Sequence, residues 1–220
     1  GRWGYYPAQR QLYKRLLGQS TPETEMVCLN GLGLVCQSMG DPAGAVEWHS
    51  QHLDLARDLA NLEAEQNALC NLGNVYGSVG QYAAATTCYQ QALPLARQIG
   101  DSSGEGKLLG NLGVLRRSQG DFQGAIAYHQ QHLQIALAIE DQDGQANALE
   151  NLGVAHYYLG VYDIAKDLFE SSLRINAQIG AQRAMAATLG SLGNVCTAEG
   201  EFQEALEYYL RQLERSLEIG

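Results

Sequence analysis

A Leu-Gly pair returns every 40 residues along this chain: Leu32-Gly33, Leu72-Gly73, Leu112-Gly113, Leu152-Gly153 and Leu192-Gly193. Seven residues after each comes a second glycine: Gly40, Gly80, Gly120, Gly160 and Gly200. A fixed period of this length marks a stacked-repeat architecture, in which each unit touches only its neighbours. It outranks residue-by-residue reading, and it points toward binding rather than chemistry.

Each repeat reads as two helices joined by a tight turn. The pattern places helix A over about 22–38, 62–79, 102–119, 142–159 and 182–199, and helix B over about 43–59, 82–99, 122–139, 162–179 and 202–218. The second glycine of each repeat ends helix A in a left-handed residue, which glycine adopts without steric cost. Asp41 and Asp121 are placed to cap helix B, with Pro42 in its first turn. Gly100 and Gly180 stop helix B, and Asn61, Asp101 and Asp141 are placed to cap the next helix A. Before the first repeat, Pro7 and the run to Leu17 predict one further helix, stopped by Gly18, that caps the N-terminal end.

The packing code is legible as well. Leu29, Leu69, Leu109, Leu149 and Leu189 lie three residues before the Leu of each Leu-Gly and give helix A one apolar face. The following Gly lets helix B approach closely. In helix B, Ala45, Ala85, Ala125, Ala165 and Ala205 form a small column, and Leu53, Leu93, Leu133, Leu173 and Leu213 follow eight residues later. Tyr82, Phe122, Tyr162 and Phe202 are expected to fill the gap between helices. Pro42 breaks that column, so the first repeat is the least regular. Pro94 falls inside helix B of the second repeat, where it removes a backbone donor and predicts a local kink.

With 24 acids against 14 basic residues the net charge is −10. That argues against a nucleic-acid groove, which needs clustered Lys and Arg to neutralise phosphates. Arg2, Arg10, Lys14 and Arg15 precede the first acid, Glu23, and form either a partner surface or one solvated helix face. The five cysteines show neither CxxC nor ligand spacing and read as small buried hydrophobes of a reducing, cytoplasmic compartment. No apolar run approaches the ~18 residues of a membrane span. The chain starts without Met and stops within its pattern, so it is expected to be part of a longer protein.

The succession Leu-Gly, Tyr or His, Gly, Tyr or Phe, Ala, Tyr or His, Leu resembles the tetratricopeptide repeat family. Phrases such as Asn71-Leu-Gly-Asn74 and Tyr128-His-Gln-Gln-His-Leu133 resemble its longer-repeat branch, with Pins-type spindle adaptors, kinesin light chains and bacterial signalling arrays. The resemblance covers essentially the whole chain. It implies an all-α, right-handed α-solenoid of antiparallel helix pairs, a single array over 1–220 with a half repeat at 1–20 and repeats at about 21–60, 61–100, 101–140, 141–180 and 181–220. It also implies that helix A lines a concave side where extended peptides bind. The same packing code serves unrelated ligands, so it leaves the partner unnamed.

The helix-A face not committed to packing carries the candidates. Positions at i, i+4, i+7 and i+11 share a side. They give Asn67, Asn71 and Asn74 in the second repeat, Lys107 and Asn111 with Arg117 in the third, Asn147, Asn151 and Tyr158 with Tyr157 in the fourth, and Asn194 in the fifth. Asn is a poor interior helix former, so its enrichment asks for a reason. A carboxamide donates and accepts, and so pairs with an extended peptide of any sequence. Asn71, Asn111 and Asn151 equally suit a hydrogen bond to the neighbouring repeat. Lys107 and Arg117 would hold an acidic side chain, and the two tyrosines would offer a rigid platform. Arg116 shares a column with Cys36, Tyr76, His156 and Cys196 and is expected to pack its stem between helices. Glu150 lies on the same side, so the groove is not uniformly basic.

His49/His52 and His129/His132 have a spacing that binds metal, but no third ligand recurs beside them, and surface or inter-repeat packing is the expected role. With no phosphate loop after a strand, no GxSxG and no placed nucleophile, neither catalysis nor a cofactor is expected. The expected function is an interaction scaffold for an extended peptide segment carrying at least one acidic residue. A regulatory array acting on another domain of the same full-length chain, and self-association through the open C-terminal repeat end, are the alternatives.

Overall fold

The helices are joined by short turns, and side chains cap several of the helix starts. The computed structural model describes residues 5–17 and 21–219, and Gly18, the expected stop of the first helix, lies outside them. Among the described residues there are eleven α-helices: α1 (Tyr5–Leu16), α2 (Pro22–Ser38), α3 (Pro42–Asp58), α4 (Leu62–Ser78), α5 (Tyr82–Ile99), α6 (Ser102–Ser118), α7 (Phe122–Ala138), α8 (Gln142–Tyr158), α9 (Tyr162–Ile179), α10 (Gln182–Glu199) and α11 (Phe202–Ile219). Asp41, Asn61, Asp121 and Asp141 accept from the backbone N–H three residues on, at 2.8 to 3.0 Å. Each thereby satisfies one of the orphan donors of a helix start. Asp101 accepts from Gln66 Nε2 at 2.8 Å.

The chain divides into two compact units, Gly1–Asp101 and Ser102–Gly220. In the first, α1 packs on α2, α2 pairs with α3, and α4 with α5. In the second the pairs are α6 with α7, α8 with α9 and α10 with α11. Within each unit a helix B also meets the next helix A, as α3 meets α4 and α7 meets α8. Among the expected core positions, the five alanines of helix B are buried, and so are Leu29, Leu69, Leu109 and Leu189, while Leu149 is half-buried. The large aromatic column holds only in part. Tyr82, Phe122 and Tyr162 are half-buried, but Phe202 is 70% exposed. In the fourth repeat a following helix A covers this position, since Tyr162 packs with Leu192 and Val195 of α10. No helix follows α11 among the described residues.

The glycine of each Leu-Gly faces a ring of the paired helix B. Gly33 lies against His49, Gly73 against Tyr89, Gly113 against His129, Gly153 against Phe169 and Gly193 against Tyr209. A Cβ on Gly153 would stand 2.6 Å from Phe169 Cε1, so the ring and any side chain there exclude one another. The ring, not the Leu, occupies the space that glycine leaves. Two junctions were invisible to the glycine reading: Ala60 and Glu140 take left-handed φ of 50° and 56° where Gly100 and Gly180 stand in the other repeats. Helix α5 continues through Pro94 to Ile99.

Candidate functional site

In the first unit the three candidate asparagines of α4 have different surroundings. Asn67 is exposed. Asn71 Nδ2 donates to Asn30 Oδ1 of α2 at 2.9 Å, a bond from one repeat to the one before. Asn74 Oδ1 accepts from the Tyr89 hydroxyl at 2.7 Å. It also lines a cavity of about 330 Å³ with Gln37, Pro42 and Ser78.

In the second unit four candidates converge. Lys107 and Asn111 of α6 and Asn147 and Asn151 of α8 line one cavity of about 310 Å³, shared with Gly110, Val114, His132, Asp141, Asp143 and Gly144. Asn151 Nδ2 donates to the backbone oxygen and to Oδ1 of Asn147, both at 3.0 Å, which leaves the pair oriented along one helix face. Tyr157, Tyr158 and Asn194 line a second cavity of about 140 Å³ with Val154, Phe169 and Ser191. The tyrosines are held as a platform. Tyr158 stacks on Phe122 with ring centroids 5.1 Å apart, and Tyr157 meets Tyr158 edge-on and Tyr162 at a tilt, both at 5.7 Å. Asn194 Oδ1 accepts from the Tyr209 hydroxyl at 2.8 Å. Arg117 is half-buried and near enough to His129 to oppose its protonation. Arg116 is half-buried as expected, and reaches Asp121 at 3.6 Å.

Two pairs of residues repeat one rule. Where helix B offers a tyrosine under the glycine, Tyr89 or Tyr209, helix A carries Asn74 or Asn194 to accept its proton. Where the ring is His49, His129 or Phe169, the same helix-A column is Leu34, Val114 or Val154. These two asparagines therefore have a partner inside the repeat, whatever else they touch.

The histidine pairs are not on the surface. His49 and His129 are fully buried in the glycine notches, and His52 and His132 are buried beside them. Burial lowers all four below the usual imidazole range, His49 and His129 to about 4, with His52 and His132 respectively adding repulsion. Neither ring nitrogen of His49 or His129 has a hydrogen-bond partner among the described residues. They fill the place of the Tyr and Phe rings as neutral imidazoles. A Cys196, Glu201 and Glu204 cluster brings ligand atoms within 4.8 Å of one another. Its carboxylates already hold Lys166 Nζ at 3.5 and 3.0 Å.

The residue given too little weight in the sequence is Glu150. Its carboxylate accepts from Thr188 Oγ1 at 2.8 Å and Ser191 Oγ at 2.9 Å, both on α10. Burial raises its pKa, and these hydroxyls only partly offset that. The signal was available: the same column elsewhere holds Asn30, Cys70, Gly110 and Gly190, so Glu150 is its one charge.

Four overlapping segments, residues 23–98, 64–138, 104–178 and 144–219, match the tetratricopeptide repeat family. The chain belongs to that family, with α2 to α11 as five helix pairs and α1 as a half repeat before them. Among curated proteins none matches the sequence. The fold is similar to that of BtubC from P. vanneervenii, at TM-score 0.83 and 20% identity over 98% of this chain and 90% of that one. It is also similar to a signal-transduction ATPase with a tetratricopeptide repeat sensor from Pyrococcus horikoshii, at TM-score 0.84 and 15% identity over 96% of this chain and 33% of that one. A Rap protein complexed with competence and sporulation factor matches at TM-score 0.78 and 18% identity, over 90% and 56%. No helix among the described residues is long and apolar enough to cross a membrane.

Proposed function

We propose that this chain is a scaffold that binds an extended peptide segment along its helix-A surface, in a concave groove of the kind its family uses. The observation that carries the reading is the 310 Å³ cavity on which Lys107, Asn111, Asn147 and Asn151 converge. Carboxamides there supply paired donors and acceptors for a peptide backbone. Lys107 and Arg117 set the preference for an acidic side chain, and Tyr157 and Tyr158 give an apolar platform beside it. Asn194 extends the surface within the second unit, and Asn67, Asn71 and Asn74 offer a carboxamide face of the first unit, with Asn71, Asn74 and Asn194 also serving the scaffold. The similarity to a Rap protein bound to competence and sporulation factor supports peptide binding as a use of such an array.

The test is capture of a partner by the purified chain, mapping of the retained segment, and titration with that peptide. Asn111→Ala and Arg117→Ala are each expected to weaken binding about tenfold, the equivalent of about 1.4 kcal/mol, with helicity unchanged. Unchanged affinity in both variants would remove the groove from the mechanism. A second reading, a sensor array controlling its own neighbours, is favoured by the match to one third of a signalling ATPase. A retained segment belonging to the same full-length protein selects it.

A further inference from the structure

Glu150 is a half-buried carboxylate, its pKa raised by partial desolvation, with no cation beside it. Among the described residues no Lys, Arg or His reaches it within ion-pair distance; the neutral hydroxyls of Thr188 and Ser191 donate to it, and that of Ser172 also lowers its pKa. Buried charges in proteins are ordinarily paired or bound to a cation, because desolvation of an isolated one costs several kcal/mol. The two hydroxyls use two of the roughly four lone-pair sites of a carboxylate. The remaining capacity faces space. Glu150 lines a cavity of about 130 Å³ between α8, α9 and α10, walled by the buried Ser172, Asn176 and Thr188, with the exposed Asp143, Asn147 and Ala187 at its rim.

Apart from its two carboxylates, Glu150 and Asp143, the cavity is walled by neutral groups. Ser172 Oγ gives its proton to the Ala146 backbone oxygen at 2.9 Å, and Asn176 Nδ2 gives one to Ser172 Oγ at 3.2 Å. The lining thus holds negative charge and no positive charge, which suits a cationic donor group. At about 30 Å³ per water the cavity holds roughly four waters, the scale of an ammonium or guanidinium head and its nearest carbons. Alanines at 184 and 187 keep its mouth open, where the corresponding positions of α8 are Gly144 and Asn147.

We propose that this pocket is a subsite for a basic side chain, lysine or arginine, of the bound peptide. The proposal rests on the groove reading above and deepens it: the ligand is bipolar, its acidic residue held over α6 by Lys107 and Arg117 and its basic residue seated against Glu150 between α8 and α10. The incoming cation supplies the missing counter-charge and takes the free carboxylate lone pairs. Asp143, the one other titratable group lining the pocket, adds attraction from the rim. From α9 and α10 the pocket is faced only by neutral groups.

Small capped amino acids test the pocket apart from any peptide groove. The 220-residue chain, ¹⁵N-labelled, is titrated at pH 7.5 with Nα-acetyl-arginine amide, Nα-acetyl-lysine amide and the neutral isostere Nα-acetyl-citrulline amide. Saturable shifts confined to amides around Ala146–Glu150 and Ala184–Thr188 are expected with the two cations, with citrulline at least tenfold weaker. Glu150→Gln is expected to bring the cations down to the level of citrulline. Ala187→Leu, which blocks the mouth without touching the carboxylate, is expected to do the same, and Arg57→Ala, in the first unit, to change nothing. Binding is expected to fade on acidification at a pH above the ordinary glutamate value of 4.5, because burial raises Glu150. Equal response to citrulline, or full binding by both Glu150→Gln and Ala187→Leu, would overturn the proposal. Failure of the Asn111 and Arg117 variants to affect a captured peptide would instead remove the groove while leaving this pocket standing.

Discussion

The α2–α4 packing of the first unit and the α8–α10 packing of the second follow one plan and end differently. In each, a polar residue of one helix A meets a polar residue 41 positions later on the next: Asn30 with Asn71, and Glu150 with Ser191. The first pair is neutral, and each amide is the other's partner. The second leaves a half-buried charge with no cation beside it. The difference teaches that an aligned position does not carry a fixed role. Asn71 and Asn151 look identical in the repeat, yet Asn71 reaches the preceding helix A while Asn151 bonds Asn147 on its own helix. What decides is the residue presented by the neighbour, and only the first repeat presents Asn30.

Acid is the strongest way to break this comparison. His49 in the first unit and His129 in the second are both held near a pKa of 4 by burial, against 6.5 for a free imidazole. Between those values the unfolded chain binds the proton and the folded chain resists it, so stability is complete above pH 6.5 and falls as pH drops toward 4. At about 1.4 kcal/mol per tenfold change in proton affinity, each ring accounts for about 3 kcal/mol of acid loss. Glu150 works in the opposite direction. Its raised pKa means the folded carboxyl prefers its proton, so its cost is present at neutral pH and disappears on acidification. His49→Phe and His129→Phe, each installing the ring that Phe169 already places in an identical notch, are expected to flatten the loss of urea resistance between pH 7 and pH 4. An undiminished acid loss in the double variant would show that the buried rings are not its source.

The next effect is smaller and has opposite signs in the two places. Asn71→Ala orphans the Asn30 amide and is expected to destabilise by about 1 kcal/mol. Glu150→Gln keeps an acceptor for the α10 hydroxyls while removing an unpaired charge, and is expected to stabilise by about 1 kcal/mol at pH 7, with the gain gone at pH 4. Thermal melts at both pH values read this as shifts of about 2–4 °C in opposite directions. Loss of stability in Glu150→Gln at pH 7 would make Glu150 a clasp rather than a pocket floor.

Helix boundaries were readable from the chain because glycine, aspartate and asparagine act locally, within four residues of the turn they make. Ala60 and Glu140 escaped because residues with a Cβ seldom take the left-handed conformation they adopt here. The candidate surface was readable as a face, since helical spacing alone brings Asn147 next to Asn151. Its partnerships were not. Asn74 and Tyr89 lie 15 residues apart on crossing helices, and the crossing decides whether they meet. Even so, the five repeats carry their own record: asparagine stands at that column only where tyrosine stands opposite.

That record sets the finest distinction between the units, which a pair of double-mutant cycles resolves. Asn74→Val imitates Val114 and Val154, and Tyr89→Phe imitates Phe169, so the double variant reproduces a combination the fourth repeat already uses. Each single change strands one atom of the Asn74–Tyr89 bond and the double change strands neither, so the singles are expected to cost more together than the double does, by about 0.5–1 kcal/mol. The same cycle at Asn194 and Tyr209 is expected to couple more weakly. Tyr89 is buried, and burial pushes its hydroxyl pKa up, whereas Tyr209 is half-buried and its hydroxyl also meets Thr197 Oγ1 at 3.2 Å. Additive singles at Asn74 and Tyr89 would mean that the bond between them contributes nothing to the scaffold.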